Sequence, residues 1–141
     1  MEFIDDKIIT IEVKVNAPLE EAWKIWTNPK DIINWNFASD DWHCPSATND
    51  VSEGGKFSWR MEAKDGSFGF DFEGTYTKVI PNELLEYDLG DGRPVKVRFE
   101  QNGNQTLLTE TFQGEDENTL EQQRYGWQCI LNNYKACVEK E

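Results

Sequence analysis

Residues Gly54 to Tyr76 read GGKFSWRMEAKDGSFGFDFEGTY, and this stretch decides the fold. Around Asp65-Gly66, Phe57, Trp59 and Met61 alternate with polar residues on one side, and Phe68, Phe70 and Phe72 alternate on the other. A period of two is the mark of a half-buried strand, and a glycine-containing connection between two such runs makes a hairpin. On that reading one face of the hairpin carries five rings and a methionine. So much ring surface either fills a core or walls a cavity.

The flanking sequence extends the sheet. Leu85, Tyr87 and Leu89 alternate, as do Val95, Val97 and Phe99, and a further strand runs from Thr106 to Phe112. Pro81-Asn82, Gly90-Asp91-Gly92-Arg93-Pro94 and Asn102-Gly103-Asn104 supply the turns between them. Ile9, Ile11, Val13 and Val15 predict a strand near 7–15, the sixth of an antiparallel sheet. After it, Pro18 opens a helix with Glu20 and Glu21 in its first turn and Ala22, Trp23, Ile25 and Trp26 behind. Asn28-Pro29 begins a second short helix, with Ile32, Ile33 and Trp35 on its apolar side. Residues 36–54 read as a long polar connection. From Asn118 the period changes, and Leu120, Gln123, Trp127, Ile130, Leu131, Tyr134 and Val138 mark one face of a helix of about 20 residues. Asn118 and Glu121 have the spacing of a capping box at its start. The expectation is one α+β domain over 1–141, a curved sheet of about six strands holding a long C-terminal helix.

Composition narrows the function. Twenty-seven acidic residues against 14 basic give a net charge of −13, which argues against nucleic acid or an anionic membrane surface as partner. No apolar run approaches the length of a spanning helix, and none at the N-terminus resembles a signal peptide. The three cysteines form no CxxC pair, and Cys129 and Cys137 stand roughly 12 Å apart along one helix, too far to bridge. Reduced thiols in a cytoplasmic protein are the expectation. One histidine and no clustered cysteines leave no metal site, and Gly54-Gly55 and Gly90-Asp91-Gly92 lack phosphate-loop spacing, so no cofactor is expected.

Two residues carry chemistry. The first is His43, the only histidine, set in Trp42-His43-Cys44-Pro45. It reads as a loop residue making one hydrogen bond, or as a polar contact to a ligand. The second is Glu110. If Leu108 and Phe112 face the interior, strand alternation sends Glu110 inward among the rings; if Leu107, Thr109 and Thr111 do, it is solvated. An inward carboxylate calls for a partner such as Arg60 or Arg124, or its pKa rises.

The element order resembles the SRPBCC superfamily, the START-like and Bet v 1-like proteins. Ala17-Pro18…Glu21-Ala22-Trp23 opens the first helix, Gly54-Gly55-Lys56-Phe57 enters the sheet and Gly126-Trp127 sits in the last helix. MEAKDGSFGFDFEGTY, GDGRPVKVRF and ETFQGE…EQQRYGWQCILNN are similar to the small bacterial proteins grouped as activator-of-Hsp90-ATPase homologues. The resemblance implies a helix-grip fold with a deep cavity between sheet and helix, and a hydrophobic small molecule, lipid-like, aromatic or polyketide-like, as partner. The ring pattern names the lining: Trp35 from the second short helix and Phe37 from the connection; Phe57, Trp59, Phe68, Phe70, Phe72, Tyr87 and Phe112 from the sheet; Trp127, Leu131 and Tyr134 from the long helix. Some relatives are cyclases or hydrolases, and here Glu110 or His43 would have to supply the acid–base group. The family label alone suggests a chaperone-associated interaction domain.

Overall fold

The computed structural model describes residues 7–140. The chain runs β1 (Ile8–Val15), α1 (Leu19–Thr27), α2 (Pro29–Ile32), β2 (Trp42–His43), β3 (Ala47–Asn49), β4 (Lys56–Ala63), β5 (Gly69–Ile80), β6 (Leu84–Leu89), β7 (Pro94–Asn102), β8 (Gln105–Gln113) and α3 (Leu120–Lys140). All strand pairs are antiparallel, in the order β1-β8-β7-β6-β5-β4-β2, with β3 also on β4. The sheet curls around α3, which packs chiefly on β1 and α1. This is the α+β helix-grip arrangement.

Six strands match the alternating runs, and on three of them the buried residues show the period of two plainly: Ile9, Ile11, Val13 and Val15 on β1, Phe57, Trp59 and Met61 on β4, Val95, Val97 and Phe99 on β7. The sheet has eight strands because the polar connection is not structureless. Within it β2 and β3 both pair with β4, His43 opposite Glu62 and Asn49 opposite Phe57. Strands of two and three residues are too short to show periodicity.

The hairpin turns at Gly66, whose φ of 77° suits glycine. Gly74 has a different reason. A Cβ there would lie 2.5 Å from the Asp88 carbonyl oxygen and 2.8 Å from the Phe57 ring, so the bare backbone makes room for that ring. Phe57 then packs against Trp59, Phe72, Tyr76 and Tyr87 at centroid distances of 5.0–5.9 Å.

Two local expectations are corrected. The box at the start of α3 is formed one residue later than Asn118 and Glu121. The Thr119 hydroxyl accepts from the Gln122 N–H at 3.0 Å, while the Gln122 side chain accepts from the Thr119 N–H at 3.0 Å. Thr and Gln are a better matched pair for this motif than Asn and Glu. On the second helix Ile32 is buried but Ile33 is exposed, and Trp35 lies past the helix end.

Candidate functional site

The interior is filled mainly by rings. Trp26 stacks on Trp35 with centroids 4.8 Å apart, Trp35 meets Trp59 and Tyr134 edge-on, and Trp35 donates its indole N–H to the Ile25 carbonyl at 3.0 Å. Tyr134 donates its hydroxyl to the Ala22 carbonyl at 2.5 Å. These bonds lock α1, the connection and α3 together, and each satisfies a polar tip that burial would otherwise strand.

One cavity of about 130 Å³ remains between sheet and helix. Its walls are Trp26, Trp35, Asn36, Trp59, Met61, Phe70, Phe72, Tyr87, Glu110, Trp127 and Ile130. Of these, Phe70 and Phe72 on β5 and Trp127 and Ile130 on α3 are partly exposed. Phe72 meets Trp127 edge-on at 5.9 Å, and Trp127 lies flat on Phe112 at 3.7 Å.

The expected lining divides in three. Trp35, Trp59, Phe70, Phe72, Tyr87 and Trp127 do surround this space. Phe57, Phe112, Leu131 and Tyr134 are buried behind it: Phe112 backs Trp127 and Phe57 backs Trp59. Phe37, half-buried, is tied to α3 by the Asn133 amide, which donates to its carbonyl at 2.6 Å, and is not on the wall. Phe68 is not on the wall: it precedes β5, is 61% exposed and packs with Phe70 against Trp42 at the hairpin tip. Trp26, Asn36, Met61 and Ile130 join the wall unforeseen. Met61 is legible as an inward residue from its alternation. Trp26 is harder, because helical spacing tells which side a ring faces and not whether the space beyond it is full.

Glu110 is inward and 5% exposed, opposite Ile11 on β1 and Val97 on β7. The expected arginine partners are elsewhere: Arg60 pairs with Glu62 and Asp71, and Arg124 donates to the Thr10 carbonyl at 2.8 Å. Neither hydrogen bond nor ion pair reaches the Glu110 carboxyl among the described residues, and burial alone pushes its pKa up from 4.5 to about 8. Tyr87, nearby on the same wall, is pushed well above the ordinary tyrosine value, first by burial and then by the charge of Glu110. Of the three inward tyrosines, Tyr76 donates to the Asn49 side chain at 2.6 Å and Tyr134 to Ala22; the Tyr87 hydroxyl has no such bond among the described residues. The indole N–H groups of Trp26 and Trp59 are also buried without a partner.

His43 is away from this wall. On β2 its Nε2 lies 3.8 Å from Glu62, with about two-fifths of its side chain exposed. Cys44 is buried and turns the other way, donating to the Ser46 carbonyl at 3.4 Å, so the two do not form a nucleophile–base pair. No disulfide joins any of the three cysteines, and no group of three or more potential metal-binding side chains exists among the described residues. No helix among them is long and apolar enough to cross a membrane.

A curled antiparallel sheet gripping a C-terminal helix around a ring-walled cavity defines an SRPBCC-type domain. The chain belongs to the activator of Hsp90 ATPase homolog 1-like family, whose model matches residues 16–139. Its fold is similar to that of an AHSA1-like protein from Aeromonas hydrophila, 41% identical, with a TM-score of 0.85 over 94% of this chain and 93% of that one. It is similar also to a protein from Cytophaga hutchinsonii, 47% identical, with a TM-score of 0.83 over 96% and 93%. A protein from Chromobacterium violaceum shares the fold at 20% identity, with a TM-score of 0.83 over 94% and 97%. No curated protein matches the sequence.

Proposed function

We propose that the protein binds a small aromatic molecule in the cavity between sheet and α3. The observation that carries this is a space of about 130 Å³, walled by four tryptophans and two phenylalanines, with Glu110 and Asn36 as polar residues on its lining. Mostly apolar walls with a few polar handles are what small-molecule sites use. Size selects within the classes that the fold suggests: a dry cavity of about 150 Å³ holds benzene, so one ring fits here, while a lipid tail or a polyketide requires Phe72 and Trp127 to part.

The test is a panel of single-ring compounds, with fatty acids alongside, read by Tm and by the indole N–H resonances. A binder raises Tm with concentration and moves the signals of Trp26 and Trp59 ahead of that of Trp42, which is not on the wall. A panel that leaves both readouts unmoved at millimolar concentration overturns the reading. A second reading, an acid–base enzyme, rests on one observation: a buried carboxyl that titrates near neutrality suits proton transfer. It places Glu110 at the reacting atoms and gives His43 no part.

A further inference from the structure

The cavity wall holds one acid and no base. Among its residues only Glu110 and Tyr87 titrate, and the cross-strand neighbours of Glu110, Ile11 and Val97, are aliphatic. From α3 the wall receives Trp127 and Ile130, from α1 Trp26, and from the connection Trp35 and Asn36. A carboxyl so enclosed, with neither hydrogen bond nor ion pair from the described residues, is costly to retain in a fold. The cost falls away if the missing partner arrives with the ligand. The rings around it favour the same partner, since a cation over an aromatic face is attracted by the ring quadrupole. Net charge adds a long-range term: at −13 the protein draws cations and repels anions.

Building on the aromatic-binding reading, we propose that Glu110 recognises a protonated nitrogen, so that the ligand class is a small arylalkylamine, one ring carrying an alkylammonium group. Its ring lies among Trp26, Trp59, Phe72 and Trp127. Its ammonium group donates to the Glu110 carboxylate, within reach of the field of Tyr87.

The proposal makes a proton count. Below about pH 8 the free protein holds Glu110 neutral, so binding an ammonium group requires that proton to leave. Affinity for the amine therefore rises by about tenfold per pH unit from pH 6 to 8 and levels off above, until the amine itself loses its proton near 10. A neutral ligand of the same shape shows no such slope.

Three probes of one size test this: 2-phenylethylamine, 2-phenylethanol and phenylacetate, titrated by calorimetry into the wild-type protein and Glu110→Gln. The substitution removes an unpaired buried charge, so folding is retained and is checked by circular dichroism. At pH 8 the amine is expected to bind about tenfold or more tighter than the alcohol, with phenylacetate weakest, and the Glu110→Gln variant is expected to lose the preference. Equal binding of amine and alcohol, unchanged in the variant and without the pH slope, overturns the amine class and leaves the aromatic-binding reading standing. So does tightest binding by phenylacetate, or binding by other single-ring compounds when none of the three probes binds. If none of the three binds and the single-ring panel also fails, both readings fall together.

Discussion

Glu110→Gln tests the buried carboxyl without any ligand. In the unfolded chain the group titrates near 4.5; in the fold burial raises this to about 8. A raised folded-state value means that the native protein binds the proton more tightly, so the contribution is intact below pH 4.5. Between the two values the native state holds a proton that the unfolded state lacks, and stability falls by about 1.4 kcal/mol per pH unit. At pH 7 the wild-type protein has lost roughly 3 kcal/mol relative to acid, and above pH 8 about 5 kcal/mol. Gln is close in shape and never ionises. The assay is urea unfolding, followed by tryptophan fluorescence, of both proteins from pH 4.5 to 9. The other acidic residues act alike in both, so the difference isolates one group. The curves are expected to meet near pH 4.5, diverge to roughly 3 kcal/mol in favour of the variant at pH 7, and run parallel beyond 8. Parallel curves throughout would show that the carboxyl reaches water. A variant less stable at pH 7 would show that the ionised form has a favourable partner. Either result refutes the reasoning.

Other substitutions probe the frame around the cavity. Phe57→Ala removes a ring packed against four others and is expected to cost about 3–5 kcal/mol in denaturant unfolding. Gly74→Ala pushes a methyl group into Phe57 and the Asp88 carbonyl and is expected to cost about 1–3 kcal/mol; Phe57→Leu in the same chain should recover part of it if the ring is the obstacle. Thr119→Ala loses the hydroxyl that caps α3, with an expected loss of about 1 kcal/mol and earlier hydrogen exchange in the first turn. Phe68→Ser, at an exposed position, is expected to change stability by no more than about 0.5 kcal/mol.

The contrast between Phe68 and Phe72 shows where sequence reading stops. Both lie at the same phase of the alternation, but β5 starts only at Gly69, and period-two logic holds only inside a strand. Position 68 lies just before the strand, at the exposed hairpin tip, and its ring settles on Trp42 away from the cavity. The longer strands were legible because their apolar residues recur at a fixed period. The pairing of β2 and β3 with β4 was not, since a three-residue strand carries no period and is held by its neighbour's free edge.

The site was legible only in part, for a related reason. The sequence leaves two faces open for Glu110, one with Leu108 and Phe112 and one with Leu107, Thr109 and Thr111 inward, and the buried alternation of Thr106, Leu108, Glu110 and Phe112 selects the first. What alternation cannot supply is the company that a side chain keeps. Arg60 and Arg124 are natural partners for a buried acid on charge alone, yet each is engaged at the surface, one with Glu62 and Asp71 and one with a β1 carbonyl. The same limit applies to the rings. Phe112 and Trp127 both face inward, but their stacking at 3.7 Å puts one behind the other, so only Trp127 meets the cavity. Depth within a packed interior depends on which side chains overlap, and that is set by the curvature of the sheet over α3. An acid left unpaired at that depth is therefore a property of the assembled fold, and its titration reports on the cavity more directly than any ring does.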